Sequence, residues 1–258
     1  MIFETHAHYD DDRFSEDRDA IIASLPLHNI ERVINVGASI EMTYNSVNLA
    51  EKYDYVYAAA GVHPSEVNDL DREGINWLKD VAVHEKVVAI GEIGLDYYWE
   101  KEETVRENQR RWFREQMDVA VEMKLPVIIH SRDAAEDTLN ILKEYANTGI
   151  EGVVHCYSYS PEIAIELIKL GYYIGVGGVV TFKNSKKLKE TVVNIPIEKL
   201  LLETDCPYMA PEPYRGKRND STLIPYVVKE IAQLRGMSED EVMRVTRENA
   251  YRLFSKVK

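Results

Sequence analysis

Short apolar runs rich in β-branched residues recur along the chain, each followed by a longer segment in which apolar positions return every three or four residues. The runs are "MIFETH", "RVINVG", "YVYAAAGVH", "VVAIGEIG", "PVIIH", "GVVHC", "YYIGVGG" and "LLLETD". Their length and composition predict buried strands. The segments between them predict helices over 16–27, 40–52, 71–83, 104–124, 134–145, 161–169, 184–193 and 222–235. A last helix is expected over 238–253, with Ser238 as N-cap and Glu241 three residues on, a capping-box spacing. Strand–helix units repeated in this way predict a parallel sheet. Eight of them in 258 residues predict a single-domain (β/α)8 TIM barrel over 1–258 rather than an open doubly wound sheet.

The residues that interrupt the apolar pattern fall in register with it. His6 and His8 end the first run, and His63 follows the third. Glu92 and Asp96 end the fourth, His130 the fifth, His155 the sixth, and Glu203 with Asp205 the eighth. These are the C-terminal strand ends, where barrel active sites are assembled. His28 and His84 lie near helix ends and read as surface residues. In a strand, positions i and i+2 share a face, so His6 and His8 aim the same way.

His6, His8, His130 and His155 with Glu92 and Asp205 make six donors, more than one zinc ion usually takes from protein. They suit two divalent cations bridged by a carboxylate, with Glu92 placed between a first-strand pair and a second pair, His130 and His155. A water activated by such metals would be the nucleophile. Asp205 could both ligate and take its proton. Imidazole favours Zn²⁺, whereas phosphodiester chemistry often runs on Mg²⁺ or Mn²⁺, and the sequence leaves the choice open.

Composition narrows the partners. The formal net charge is −13, from 44 acidic against 31 basic residues, so a broad nucleic-acid-gripping face is not expected. Cationic character is local. Arg215, Lys217 and Arg218 cluster in "PYRGKRND", and Arg132 stands two residues past His130. These four are candidate phosphate-binding residues. No apolar run reaches 18 residues, no basic-then-apolar leader is present, and only Cys156 and Cys206 occur. A cytoplasmic protein is therefore expected, without a membrane span and without an obligate protein partner. Strand alternation would turn both cysteines away from the site, into the layer under the helices. "GVGG" at 175–178 lacks the lysine and serine of a phosphate loop and reads as a turn.

"ETHAHYDDDRF", "GVHP", "IGEIGLDYY", "PVIIHSRDA", "VVHCYS", "LLETDCPYMAP" and "PYRGKRN" resemble, in order and spacing, the TatD-type metal-dependent DNases. The resemblance spans nearly the whole chain. It implies metal ligation by His6, His8, Glu92, His130, His155 and Asp205, and a place near the scissile phosphate for His63 and Glu203. It further implies hydrolysis of DNA, expected to be single-stranded, in the manner of 3′–5′ exonucleases or apurinic-site endonucleases, with action from the 3′ end the favoured expectation. A small-molecule amidohydrolase or lactonase of the same superfamily is the alternative. Glu92 stands where many such barrels carry a bridging carboxylated lysine, which favours the DNase-like branch. Glu4 stands where the family usually has Asp, Tyr159 where it has Gly, and the loop departs after Asn219. Glu4 is expected to alter packing behind the ligands, and Tyr159 the shape of the pocket. Tyr97, Tyr98 and Trp99 could stack unpaired bases or simply pack on the barrel.

Overall fold

The computed structural model describes residues 1–258, the side chain of Asp69 excepted. The eight apolar runs are strands: β1 (Ile2–Ala7), β2 (Ile30–Val36), β3 (Val56–Ala60), β4 (Val87–Asp96), β5 (Val127–Arg132), β6 (Gly152–Val154), β7 (Tyr172–Val176) and β8 (Leu200–Leu202). They form one parallel sheet in chain order, the (β/α)8 arrangement. The helices are α1 (Arg18–Ser24), α2 (Ile40–Lys52), α3 (Arg72–Ala82), α4 (Glu103–Met123), α5 (Ala135–Glu144), α6 (Pro161–Lys169), α7 (Lys186–Asn194), α8 (Ile224–Arg235) and α9 (Glu239–Leu253).

Three boundaries, those of α1, β6 and β8, differ from the sequence expectation for identifiable reasons. The helix expected over 16–27 stops at Ser24, and a 3-10 turn (Leu25–His28) containing Pro26 completes it. Proline has no N–H to continue the α ladder. Strands β6 and β8 end before the polar residues that follow them, where Cys156 (φ 44) and Asp205 (φ 57) enter the left-handed region. Ser238 caps α9 as its spacing predicts, accepting the Glu241 amide at 3.2 Å.

The seam between β8 and β1 closes the barrel with few backbone bonds. Asp205 N donates to His6 O and His8 N to Cys206 O, both at 2.9 Å. Side chains complete the seam. Thr5 Oγ1 donates to Leu202 O at 3.0 Å, and the buried Glu4 carboxylate accepts the amides of His6 (3.1 Å) and Thr204 (2.9 Å) and the Ser221 hydroxyl (3.0 Å). A buried amide left without an acceptor costs roughly 1–3 kcal/mol, so Glu4 takes the place of ladder carbonyls that the seam lacks. Burial pushes its carboxyl up to about 8, against the lowering by these donors.

Alternation along the strands divides the core in two. Phe3, Ile34, Tyr57, Val88, Ile128, Val153, Tyr173 and Leu201 fill the barrel interior, while Val33, Ala58, Ile90, Ile129, Ile174 and Leu202 pack outward against the helices. The end of α9 and the residues after it close the N-terminal end of the barrel. Leu253, Phe254 and Val257 join the interior cluster, and Phe254 lies 6.1 Å from Phe3, ring centre to ring centre. Only the opposite end is left for a site. Truncating fully buried Phe254 to Ala should cost about 3–5 kcal/mol in denaturant unfolding. Because the change lies at the far end, metal content and KM of the folded variant should match wild type.

Candidate metal centre

Strand β1 delivers His6, and His8 follows it directly, with their Nε2 atoms 3.1 Å apart. His8 Nδ1 lies 2.8 Å from the Val36 carbonyl, which can only accept. Nδ1 therefore carries the proton and Nε2 presents its lone pair. The turn after β1 is held by buried Asn35, whose Oδ1 accepts the Tyr9 amide at 2.6 Å and whose Nδ2 donates to Asp10 Oδ1 and Ser46 Oγ, both at 2.8 Å.

Across the mouth, β5 supplies His130, and His155 follows β6. His130 Nδ1 and His155 Nε2 are 3.2 Å apart. His130 Nε2 donates to Asp96 Oδ2 at 3.2 Å, which leaves the Nδ1 lone pair facing His155. Two ligands on one tetrahedral ion at 2.0–2.1 Å stand about 3.3 Å from each other, so either pair fits a shared cation. Glu92 of β4 stands between the pairs. Its Oε2 is 3.4 and 3.5 Å from the Nε2 atoms of His6 and His8, and its Oε1 is 2.8 and 2.7 Å from His130 Nδ1 and His155 Nε2. Asp205 Oδ1 lies 3.8 and 3.5 Å from His6 and His8. Aspartate tolerates the left-handed backbone that turns its carboxylate inward.

Glu203 comes in beside His155. Its Oε1 accepts the Cys156 amide at 2.5 Å. A Cβ on Gly175 would sit 2.3 Å from its Oε2, so only glycine on β7 leaves room for this carboxyl. His63 reaches the site from the loop after β3, its Nε2 3.7 Å from Glu92 Oε1. Here the tautomer is reversed. Nδ1 accepts the Ser65 amide at 3.1 Å, which puts the proton on Nε2, aimed into the mouth. His63 thus offers a hydrogen-bond donor where His8 and His130 offer lone pairs.

Charge is concentrated and buried. Burial and the neighbouring His155 push His6 down to about 4, and burial and His130 push His63 down to about 3. Burial also acts to lower His8 and His130, but Asp205 and Glu92 around the first, and Asp96 and Glu92 around the second, raise both to about 9. Burial lifts Glu203 to about 7. Burial opposes ionisation of Glu92 as well, yet the imidazoles of His155, His63 and His130 hold it well below its ordinary value. The buried Nδ1 atoms of His6 and His155 and Glu203 Oε2 have no hydrogen-bond partner. Ring nitrogens crowded around carboxylate oxygens, with lone pairs preset toward a common centre, are a donor set suited to divalent cations.

The structure brings His6, His8, Glu92, His130, His155, Glu203, Asp205 and His63 together. The four cationic candidates are dispersed. Arg132 stacks on Tyr98, its guanidinium carbon 3.9 Å from the ring centre. Arg215 and Lys217 are exposed on the loop after β8 and lean on Phe182 (4.2 Å) and Tyr214 (5.7 Å). Arg218 instead grips Asp17 at 2.6 and 2.8 Å and the Arg13 carbonyl at 2.7 Å, tying that loop to the one after β1. Asn219 anchors the same loop through Thr204 O (3.0 Å) and Tyr208 O (2.7 Å). Sequence reasoning assigned no role to Asn219, Asn35 or Asp96. An asparagine within the apolar run of β2 was the available signal for Asn35.

One expectation needs correction. Cys206 packs in the layer under the helices, as alternation predicts, but Cys156 does not. Its positive φ breaks the alternation, and its thiol is pushed up by burial and by the carboxylates of Asp205, Glu203 and Glu92.

Metals bind neutral imidazole and ionised carboxylate, so cation uptake at pH 7 must expel the protons on His8 and His130. Apparent affinity should rise from pH 7 to pH 9 and level off above. Calorimetric titration in buffers of different ionisation enthalpy should register proton release. An affinity independent of pH across that window would contradict this assignment.

A profile of the TatD-related DNases matches residues 3–255. The uncharacterized metal-dependent hydrolase YabD of Bacillus subtilis is 44% identical over 254 residues, covering 98% of this chain and 99% of its own. The 3′-5′ ssDNA/RNA exonuclease TatD of Cronobacter sakazakii is 33% identical, over 95% and 94% of the two chains. Among solved structures, the TatD homologue YjjV of Escherichia coli superposes with a TM-score of 0.91 at 32% identity, covering 98% of each chain.

Proposed function

The chain belongs to the TatD-related DNase family of metal-dependent hydrolases, and from that premise we propose that it hydrolyses phosphodiester bonds of single-stranded DNA, from the 3′ end, with two divalent cations. The observation that carries this reading is the placement of Glu92, each of whose oxygens faces its own histidine pair at 2.7–3.5 Å. His6 and His8 with Asp205 would hold one ion, His130 and His155 the other, and Glu92 would bridge them. When bound, such a pair neutralises the phosphate and makes water a competent nucleophile near neutral pH.

The protein's own groups divide the remaining work. Asp205, held ionised by its histidine neighbours against burial, accepts the proton of the attacking water. The His63 Nε2–H donates to a phosphate oxygen, and its low basicity keeps it neutral throughout the working range. Glu203, its carboxyl lifted by burial to about 7, can take up and release a proton near neutral pH and so pass one toward the leaving oxygen. Arg215 and Lys217 receive flanking phosphates on an otherwise anionic surface, Arg132 serves the phosphate nearest β5, and Arg218 acts by holding the loop.

Purified protein assayed with Mg²⁺ or Mn²⁺ should degrade single-stranded DNA and leave lactone and amide panels intact. The reverse pattern would replace this reading with that of a small-molecule hydrolase. Glu92→Ala should lower metal content more than any other single carboxylate change and remove most activity, because both ions lose a ligand. Two ions retained in that variant, counted by elemental analysis, would argue against bridging. Lys217→Ala and Arg215→Ala should each reduce the slope of log affinity against log salt by about one unit, with metal content intact.

A further inference from the structure

Beside the metal centre, the turn after β4 carries two aromatic side chains that neither core uses. Tyr97 is buried, but Tyr98 is 43% and Trp99 70% exposed. Both lie outside the hydrophobic clusters among the described residues. Exposing an indole at a functional rim forgoes the burial that ordinarily retains large aromatic groups.

The turn is not loose. Asp96 Oδ1 accepts the amides of Tyr98 (3.0 Å) and Trp99 (3.2 Å), while its Oδ2 accepts from His130 Nε2 at 3.2 Å. One carboxylate thus fixes a metal-facing imidazole and the backbone of the aromatic pair. The rings meet edge to face, centres 4.7 Å apart at 86°, which covers little of the indole. Cations surround them. The Arg132 guanidinium carbon is 3.9 Å from the Tyr98 centre and 5.7 Å from that of Trp99, and Lys101 Nζ is 5.7 Å from Tyr98. An open indole beside basic side chains, in a chain of net charge −13, combines the two elements by which proteins hold single strands: a face for the base and a charge for its phosphate.

We propose that Trp99 is a stacking platform for an unpaired nucleobase, with Arg132 and Lys101 serving the phosphate of that nucleotide and Asp96 fixing its distance from the metal centre. The inference rests on the phosphodiesterase reading above. Neither a lactone nor a simple amide offers both a planar base and a phosphate to this pairing.

The test compares two oligonucleotides of equal length and phosphate number: oligothymidylate, and the same backbone with tetrahydrofuran residues in place of every nucleoside. In the metal-loaded enzyme, Trp99→Ala should lower kcat/KM for oligothymidylate about tenfold, through KM, and leave the base-free strand within twofold. Trp99→Phe should recover most of the loss. Oligothymidylate should quench the tryptophan emission of wild type and not that of Trp99→Ala, since Trp112 is buried and Trp77 donates to Tyr44 at the α2–α3 surface. Equal losses on both strands, an unchanged KM for oligothymidylate, or equal quenching in the two proteins would overturn the platform while DNA cleavage by wild type stood. Wild-type activity confined to lactones or amides would instead overturn the phosphodiesterase reading, and the platform with it.

Discussion

Everything at the mouth of this barrel is organised around one buried carboxylate. Glu92 sits within 3.5 Å of four imidazoles, two on each side, in a space that excludes most solvent. An ionised group so placed is costly unless compensated, and the compensation on offer is a ring of nitrogen donors. Those nitrogens crowd one another at 3.1–3.2 Å within each pair, a spacing that neutral rings relieve by sharing a cation or a proton. The site is therefore balanced electrostatically only when something positive stands between its donors.

That balance depends on groups one step removed. A carbonyl behind His8 and a carboxylate behind His130 each take a ring N–H and so decide which nitrogen faces the centre. A backbone amide behind His63 does the opposite and turns that ring into a donor. The same side chain type thus enters the site in two chemical roles, chosen entirely by what lies behind it. Glu4 has a comparable hidden function. It supplies acceptors at the β8–β1 seam, and the seam carries both the first histidine pair and Asp205.

Charge is partitioned as well. The surface as a whole repels polyanions, while the rim gathers arginine and lysine on aromatic faces: Arg132 on Tyr98, Arg215 on Phe182, Lys217 on Tyr214. Stacked guanidinium groups keep their charge and their outward N–H groups, so each is held in place without being neutralised. Arg218 is the exception, since Asp17 neutralises it.

The alternation of apolar runs and amphipathic segments was enough to give the eight strands, their parallel order and the end of the barrel at which the polar residues gather. Buried parallel strands need continuous apolar sequence, and crossover helices need a one-sided apolar stripe, so both are written locally. The convergence of His6, His8, Glu92, His130, His155 and Asp205 followed from the same register. What lay beyond the sequence is everything decided by a residue distant along the chain. Examples are the tautomers of His8, His63 and His130, the left-handed backbone at Cys156, the double use of Asp96, and the capture of Arg218 by Asp17 about 200 positions away. Strand periodicity tells which face a side chain takes. The proton it holds and the partner it finds depend on the groups that barrel closure brings against it, and no local pattern encodes those.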